Sequence, residues 1–306
     1  MRTVFFGTPD WAVPSLEALA ESDVEVAAAV TNPDRPAGRG MELRASPVKR
    51  RAVELGLDVL QPPRARDPEF RTALSELAPD VCTVVAYGKI LPADLLAVPR
   101  LGFVNLHFSL LPEYRGAAPV QRAIMEGRET TGVSVMVLTE GMDEGPVLTY
   151  APQAIRADDT AGTLGDRLAA RGSKLLVEAL GAYAAGELKP AEQEHERATY
   201  APKITTDEAR IDWGRPASAL RNLVRGLNPQ PGAWTTLRNK RVKLWAIEAA
   251  PSDLAPGELA RHGDDLLAGT SNSAVKLIRL QLQGKRATSG AEAARGLRLA
   301  DGERFE

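Results

Sequence analysis

The sequence is poor in the residues on which most metal and thiol chemistry depends. Among its 306 residues there is one cysteine, Cys82, and there are three histidines, His107, His195 and His262. A single cysteine excludes a disulfide framework and a cysteine-rich zinc site. No two histidines stand in His-x-x-x-His spacing, so no metal is expected. No stretch approaches 18 apolar residues, which argues against a membrane-spanning helix and a membrane partner. The opening "MRTVFFGTPDW" has too short an apolar run for a secretory signal, so a cytoplasmic location is expected. The motif G-x-G-x-x-G is also missing. Gly7 closes the first apolar run, but Thr8, Pro9 and Asp10 follow it. That disfavours a nicotinamide-dependent oxidoreductase.

What remains is an ordinary globular composition, 44% apolar and 25% charged, with ample material for a core. At about 150 residues per domain, the length suits two domains. The net charge of −2 conceals an asymmetry. Residues 1–200 carry 21 basic and 28 acidic side chains, whereas residues 201–306 carry 17 and 12. The plain reading is fluctuation; the sharper one is a basic second domain facing a polyanion.

Short apolar runs alternate with helix-like segments through the first 180 residues. "RTVFFG", "VEVAAAVT", "DVCTVVAYG" and "GFVNLHFS" read as strands, while "AVPSLEALAES", "PVKRRAVELG" and "PEFRTALSEL" read as helices. This pattern predicts an α/β domain built on an open, mostly parallel sheet covered on both faces. Residues 189–207 are polar, with two prolines, and read as a linker. Beyond it, "GAWTTL" and "VKLWAIEAA" flank "RNKR" as a hairpin, and few helices follow. A small β-barrel of the OB type is expected there. The expected domains are thus 1–188 and 208–306, with no internal repeats.

The run "GFVNLHFSLLPEYRGAAP" contains a polar pair in an apolar strand. Alternation puts Phe103, Asn105 and His107 on one face. The pair ends the strand, where ligands bind in open parallel sheets, so both groups are expected to line an open pocket. A core pair bonded to loop backbone is the alternative reading. Downstream, "TEGMDEGPVL" sets Asp143 in a glycine-flanked loop, either as a turn acid or as a partner for His107. An adjacent carboxylate favours the imidazolium and fixes its orientation. The set holds no nucleophile of its own. It suits direct attack by a substrate amine on an acyl donor, with Asn105 and His107 steadying the oxyanion and Asp143 assisting proton removal.

"NLHFSLLPEYRGAAP" followed by "GMDEGPVL" resembles the formyltransferases that use 10-formyltetrahydrofolate. "FFGTPDWAVPSL", "NPDRPAGRG" with "SPVK", "RGAAPVQRAI" and "LQLQGKRATSG" are similar to the branch acting on methionyl-tRNA. The resemblance spans essentially the whole chain. It implies a Rossmann-like formyltransferase domain followed by an OB-like domain. The implied reaction carries a formyl group to the α-amine of methionyl-initiator tRNA. By position it implies Asn105, His107 and Asp143 as the catalytic trio. It also implies folate contacts at Tyr87, Gly88, Lys89, Ile90, Leu91, Ser109, Leu110, Leu111 and Pro112. A monomer is expected.

Independently of resemblance, the loop after Asn32 carries Arg35, Arg39, Arg44, Lys49, Arg50 and Arg51 against Asp34 and Glu42. Such a loop is either solvated surface or a phosphate-binding element. The resemblance makes it a tRNA contact through Arg35, Arg39, Arg44 and Lys49, although relatives often have a more basic pair where Met41-Glu42 stand. Lys203, Arg238, Lys240, Arg241, Lys243, Lys285 and Arg286 could continue a phosphate track. Two other functions compete. One is a formyltransferase acting on a small amine such as an amino-sugar nucleotide, which has less need of the basic loop. The other is a catalytically silent RNA-binding protein, which would be expected to have lost Asn, His or Asp from the trio.

Overall fold

A computed structural model describes residues 1–37, 42–300 and 302–306. The chain folds as two compact units. The first comprises Met1–Pro119, Thr130–Ala154 and Gly165–Ala201, and the second Val120–Glu129, Ile155–Leu164 and Pro202–Glu306.

In the first half of the chain the strands are β1 (Arg2–Gly7), β2 (Glu25–Val30), β3 (Arg35–Ala37), β4 (Glu42–Arg44), β5 (Val59–Leu60), β6 (Val81–Val85), β7 (Phe103–His107), β8 (Thr130–Val137) and β9 (Val147–Ala154). The helices are α1 (Val13–Ala20), α2 (Pro47–Glu54), α3 (Pro68–Glu76), α4 (Ala93–Leu96), α5 (Pro119–Met125) and α6 (Ala161–Ala184). Seven strands form one sheet in the order β5-β2-β1-β6-β7-β8-β9. The pairs from β5 to β7 are parallel, and β8 and β9 are antiparallel.

The continuous apolar runs of β1 and β6 are buried, as a sheet covered on both sides requires. Thr3 and Thr83 interrupt them but bond each other across the sheet at 2.9 Å. Phe6 gathers Phe70, Tyr87 and Phe103 edge-on, with ring centroids 5.2 to 6.1 Å apart. α6 lies close over β7 because Gly172 has no side chain. A Cβ there would stand 2.7 Å from Leu106 Cδ2. α2 starts where Ser46 caps the Lys49 amide and Pro47 takes the first turn.

Two segments depart from expectation in form. The basic loop contains an antiparallel ribbon, β3 with β4, around the undescribed residues 38–41. The polar stretch from 189 is not slack: Ala191 and Val147 exchange two backbone hydrogen bonds, and Ala201 is fully buried. Backbone pairing of this kind needs no apolar pattern, so composition alone reads as loop.

The second unit carries β10 (Ala233–Leu237), β11 (Lys240–Ala250), β12 (Leu259–His262), β13 (Asp265–Gly269), β14 (Ala274–Leu282) and β15 (Thr288–Ser289), with helices α7 (Ala217–Gly226) and α8 (Gly290–Gly296). All of its strand pairs are antiparallel, in the order β10-β11-β14-β13-β12, with β15 on β14. The β10–β11 hairpin turns through Arg238 and Asn239 at φ +50° and +59°, the left-handed pair that matches strand twist. The final residues then link the two edge strands. Glu303 O accepts from Leu259 N on β12, while Glu306 exchanges two backbone bonds with Thr236 on β10. Phe305 stacks on Trp213 in the core at 5.1 Å. This closure gives the OB-like barrel expected of the region.

Candidate active site

Four parallel strands of the first unit end at one edge of the sheet. Beyond them come Thr8, Asn32, the segment Tyr87–Leu91 and the segment Ser109–Pro112. β6 and β7 are adjacent, so the last two segments leave the sheet as neighbours. Asn32 Nδ2 donates to Tyr87 O at 2.8 Å and to Thr8 Oγ1 at 2.9 Å, tying three strand ends together.

Asn105 and His107 are nearly enclosed, with 8% and 6% of their surface exposed. This departs from the open pocket expected of the strand-end position: Asn105 is buried, and His107 is bonded to the loop that follows. His107 Nε2 is 2.9 Å from the Tyr114 carbonyl, which can only accept, so Nε2 carries the hydrogen. His107 Nδ1 lies 3.6 Å from Asp143 Oδ2. That is too long for a hydrogen bond but becomes an ion-pair attraction once the ring is protonated. The Asn105 carboxamide and Asp143 Oδ1 make no hydrogen bond among the described residues. The structure therefore brings His107 and Asp143 together, with Asn105 two residues earlier on β7 and its carboxamide uncommitted.

The same Asp143 Oδ2 accepts from Gly116 N at 2.7 Å. Gly116 sits at φ +116°, and a Cβ on it would approach Ala201 O to 2.9 Å. Asp143 itself adopts φ +48°. Left-handed backbone costs roughly 1–2 kcal/mol in a non-glycine residue, though Asp tolerates it better than most. The surroundings must therefore hold the loop in place.

Ser109 to Pro112 pass over β8. Ser134 Oγ donates to Ser109 O at 2.7 Å and accepts from Leu111 N at 3.0 Å. Leu110 fills the space above Gly132, where a Cβ would meet Leu110 Cγ at 2.9 Å. Ser109 Oγ donates to Glu113 O at 2.6 Å. Ser134 and Gly132 were invisible to sequence reasoning because their partners lie one strand away.

In the segment Tyr87–Leu91, Tyr87 and Leu91 are buried, Gly88 takes φ +77° and Ile90 is 87% exposed. Burial pushes the Tyr87 phenol up to about 12. Lys89 Nζ donates to the carbonyls of Pro62 and Pro63 at 2.8 and 3.0 Å. Burial, reinforced by the Arg35 charge, holds its ammonium below the ordinary range.

Arg35 and Arg44 are exposed and directly opposed across the β3–β4 ribbon. Neither guanidinium has a hydrogen-bond or ion-pair partner among the described residues. Like charges in opposed positions destabilise a ribbon by roughly 0.2–1 kcal/mol, which an anion would relieve. Lys49 differs, since it pairs with Asp34 at 2.7 Å. That bond, with a second from Gln61, holds the Asp34 carboxyl below its usual range. Arg39 and Met41 lie outside the described residues.

On the second unit, Trp234 lies under Arg241 at 4.1 Å and Arg210 at 5.7 Å. Lys240, Lys285 and Arg286 line a hollow of about 390 Å³ floored by Leu237, Leu282 and Leu297. Arg238, expected on a phosphate track, is bound by the Glu303 carboxylate.

Among the described residues no cluster of three or more His, Cys, Asp or Glu could hold a metal. No helix among them is long and apolar enough to cross a membrane.

Comparison with known proteins bears on the whole chain. Residues 1–180 match the formyl transferase family, and residues 203–298 match the formyl transferase C-terminal domain. The methionyl-tRNA formyltransferase of Streptomyces coelicolor is 50% identical over 309 residues, covering 99% of both chains. That of Thermobifida fusca is also 50% identical, covering 100% of this chain and 99% of its own. Among solved structures, Aquifex aeolicus HypX superposes with a TM-score of 0.68 at 19% identity. It covers 99% of this chain, which spans about half (49%) of the HypX chain. An N-formyltransferase from Helicobacter canadensis, in complex with folinic acid and dTDP-3-aminofucose, gives 0.67 at 15% identity, covering 90% and 98% of the two chains. At such identities these two structures speak to the fold alone. Matched by family models along both units and by relatives half-identical from end to end, this chain belongs to the formyl transferase family.

Proposed function

We propose that the protein transfers the formyl group of 10-formyltetrahydrofolate to the α-amine of methionyl-initiator tRNA. The observation that carries this reading is the approach of His107 Nδ1 to Asp143 at 3.6 Å, with Asn105 two residues earlier on the same strand. The half-identical relatives supply the acceptor and the family supplies the donor. A domain over 1–188 would hold the chemistry, and one over 208–306 would add affinity for tRNA.

The chemistry follows from the uncommitted groups. A free α-amine has a pKa of about 8, so a usable neutral fraction exists near neutrality. Its nitrogen attacks the formyl carbon, forming a C–N bond and a tetrahedral oxyanion. Asn105 Nδ2 and protonated His107, through Nδ1, donate to that oxygen, since Nε2 is held by Tyr114. Asp143 Oδ1 takes the amine proton, directly or through one water. Collapse of the oxyanion breaks the bond to folate N10, and N10 regains a proton as tetrahydrofolate leaves. One oxyanion donor typically contributes roughly 10²–10³ in rate. Both folate segments, Tyr87–Leu91 and Ser109–Pro112, flank this point on neighbouring strand ends. Arg35, Arg44 and Arg39 would engage the tRNA, the first two relieving their mutual repulsion.

The test is incubation with formyl donor and, separately, initiator methionyl-tRNA, elongator methionyl-tRNA and an amino-sugar nucleotide. Formyl-methionine on the initiator alone supports the reading. Turnover of the sugar amine with neither tRNA formylated overturns it in favour of a small-amine enzyme.

A further inference from the structure

We infer that Gln193 is a positioning residue for the Asp143 carboxylate, acting through the backbone of the Asp143 loop and held in turn by buried Arg115. The inference rests on the formyl-transfer reading for its kinetic consequence, but not for its structural one.

Gln193 is 7% exposed and sits in a stretch whose composition reads as linker. Its Nε2 donates to two carbonyls of the loop, Asp143 O at 2.9 Å and Gly145 O at 2.7 Å. One is the carbonyl of the left-handed residue itself and the other lies two residues on, so one amide group clamps the chain as it leaves Asp143. The other end of the carboxamide is fixed as well. Arg115, 2% exposed, donates to Gln193 Oε1 from Nε at 3.1 Å and from Nη2 at 2.7 Å. Arg115 Nη2 also reaches His195 Nδ1 at 3.2 Å, where a guanidinium can only donate and the imidazole must accept. A buried guanidinium is retained only where its donors are satisfied, so this pairing is part of the built site rather than a surface accident.

The strut ties together two loops that share the carboxylate. Arg115 immediately precedes Gly116, whose amide donates to Asp143 Oδ2, and follows Tyr114, whose carbonyl holds His107. Thr199 Oγ1 accepts from Tyr114 N at 2.8 Å, and Thr199 O accepts from Arg115 N at 2.8 Å. The stretch 193–201 thus fixes the imidazole through one loop and the carboxylate through both. Gln193 touches no reacting atom itself. A displacement of about 1 Å in a catalytic group can cost on the order of 10² in rate.

Two variants separate positioning from folding. Gln193→Glu retains an acceptor pair for Arg115, but turns an oxygen toward the carbonyls of Asp143 and Gly145. Gln193→Ala removes the strut outright. The structural readout is the exchange rate of the Gly116 amide, measured by heteronuclear NMR with the fold checked by far-ultraviolet circular dichroism. Release of the carboxylate should speed that exchange about tenfold in both variants, as in Asp143→Ala. Unchanged protection in a folded Gln193→Glu overturns the inference, whatever the enzyme's acceptor. The kinetic readout is a double-mutant cycle with Asp143→Asn. Gln193→Glu should lower kcat about tenfold to a hundredfold in the parent protein, with the KM for formyl donor little changed, and less than about twofold in the Asp143→Asn background. Equal losses in both backgrounds would mean that Gln193 does not act through Asp143. A parent protein that formylates no tRNA would instead sink the functional reading, and leave the exchange experiment to decide the strut.

Discussion

Asn105 and His107 illustrate how little of a side chain a site needs to expose. Each is more than nine-tenths enclosed, so truncation should remove chemistry without loosening tRNA. Asn105→Ala and His107→Ala are each expected to reduce single-turnover transfer by at least about 10²-fold. The dissociation constant for initiator tRNA, from filter binding, should stay within about threefold. Gly116→Ala is expected to fail differently. Its φ of +116° and the nearby Ala201 carbonyl leave no place for a methyl group. The substitution should destabilise the protein by more than about 1 kcal/mol in denaturant melts and lower kcat as the Asp143 anchor shifts. The approach of Asp143 to His107 was legible in the sequence because strand alternation and glycine-flanked loops leave a pattern. Gln193, Ser134 and Thr199 were not. Each acts on backbone groups 23 to 85 positions away, a partnership that no local periodicity records.

Secondary-structure elements show the same division between local and distant cause. The parallel strands and the β10–β11 hairpin follow from apolar runs and turn chemistry, and were expected. The β3–β4 ribbon was not, because three-residue strands are too short to carry an alternation signature. Closure of the barrel by residues 303–306 was equally silent, yet it is testable through charge. Glu303 accepts a bidentate bond from Arg238, which holds its carboxyl below the usual carboxylate range. A depressed carboxylate stabilises the fold fully above its unfolded pKa and loses that contribution as pH falls through the folded value. Glu303→Gln should therefore lower Tm by a few degrees at pH 7. The gap to the parent protein should narrow as the melt is repeated below about pH 4. A gap independent of pH would show that the carboxylate charge does not fasten the tail.

For the molecule as a whole, charge is distributed unevenly along the chain. The acidic excess lies in residues 1–200 and the basic excess in residues 201–306, with Arg35 and Arg44 as an exposed basic pair within the acidic part. Affinity for initiator tRNA should fall linearly on a log–log plot against salt. Replacing both arginines with alanine should flatten the slope by about 0.7–0.9 for each phosphate the ribbon no longer neutralises. An unchanged slope in titrations monitored by fluorescence would remove the ribbon from the interface. The change from strands alternating with helices to short antiparallel strands was readable from the sequence, whereas the assignment of residues 120–129 and 155–164 to the second unit was not. Those excursions are set by packing rather than by any change in composition.

The pairing of Thr199 and Ala201 with the loop around Arg115 also sets an order of events during synthesis. Strands β1, β2, β6 and β7 leave the ribosome early and can pair with one another as they emerge. The hydrogen bonds that fix the loop of Tyr114 and Arg115 need residues about 80 positions further on, and those that fix the Asp143 turn need a residue 50 positions on. A nascent chain halted near residue 190 would thus hold most of its sheet with its reactive groups still unregistered. Competence for chemistry should arrive late and abruptly, as the tenth or so residue after that point clears the exit tunnel.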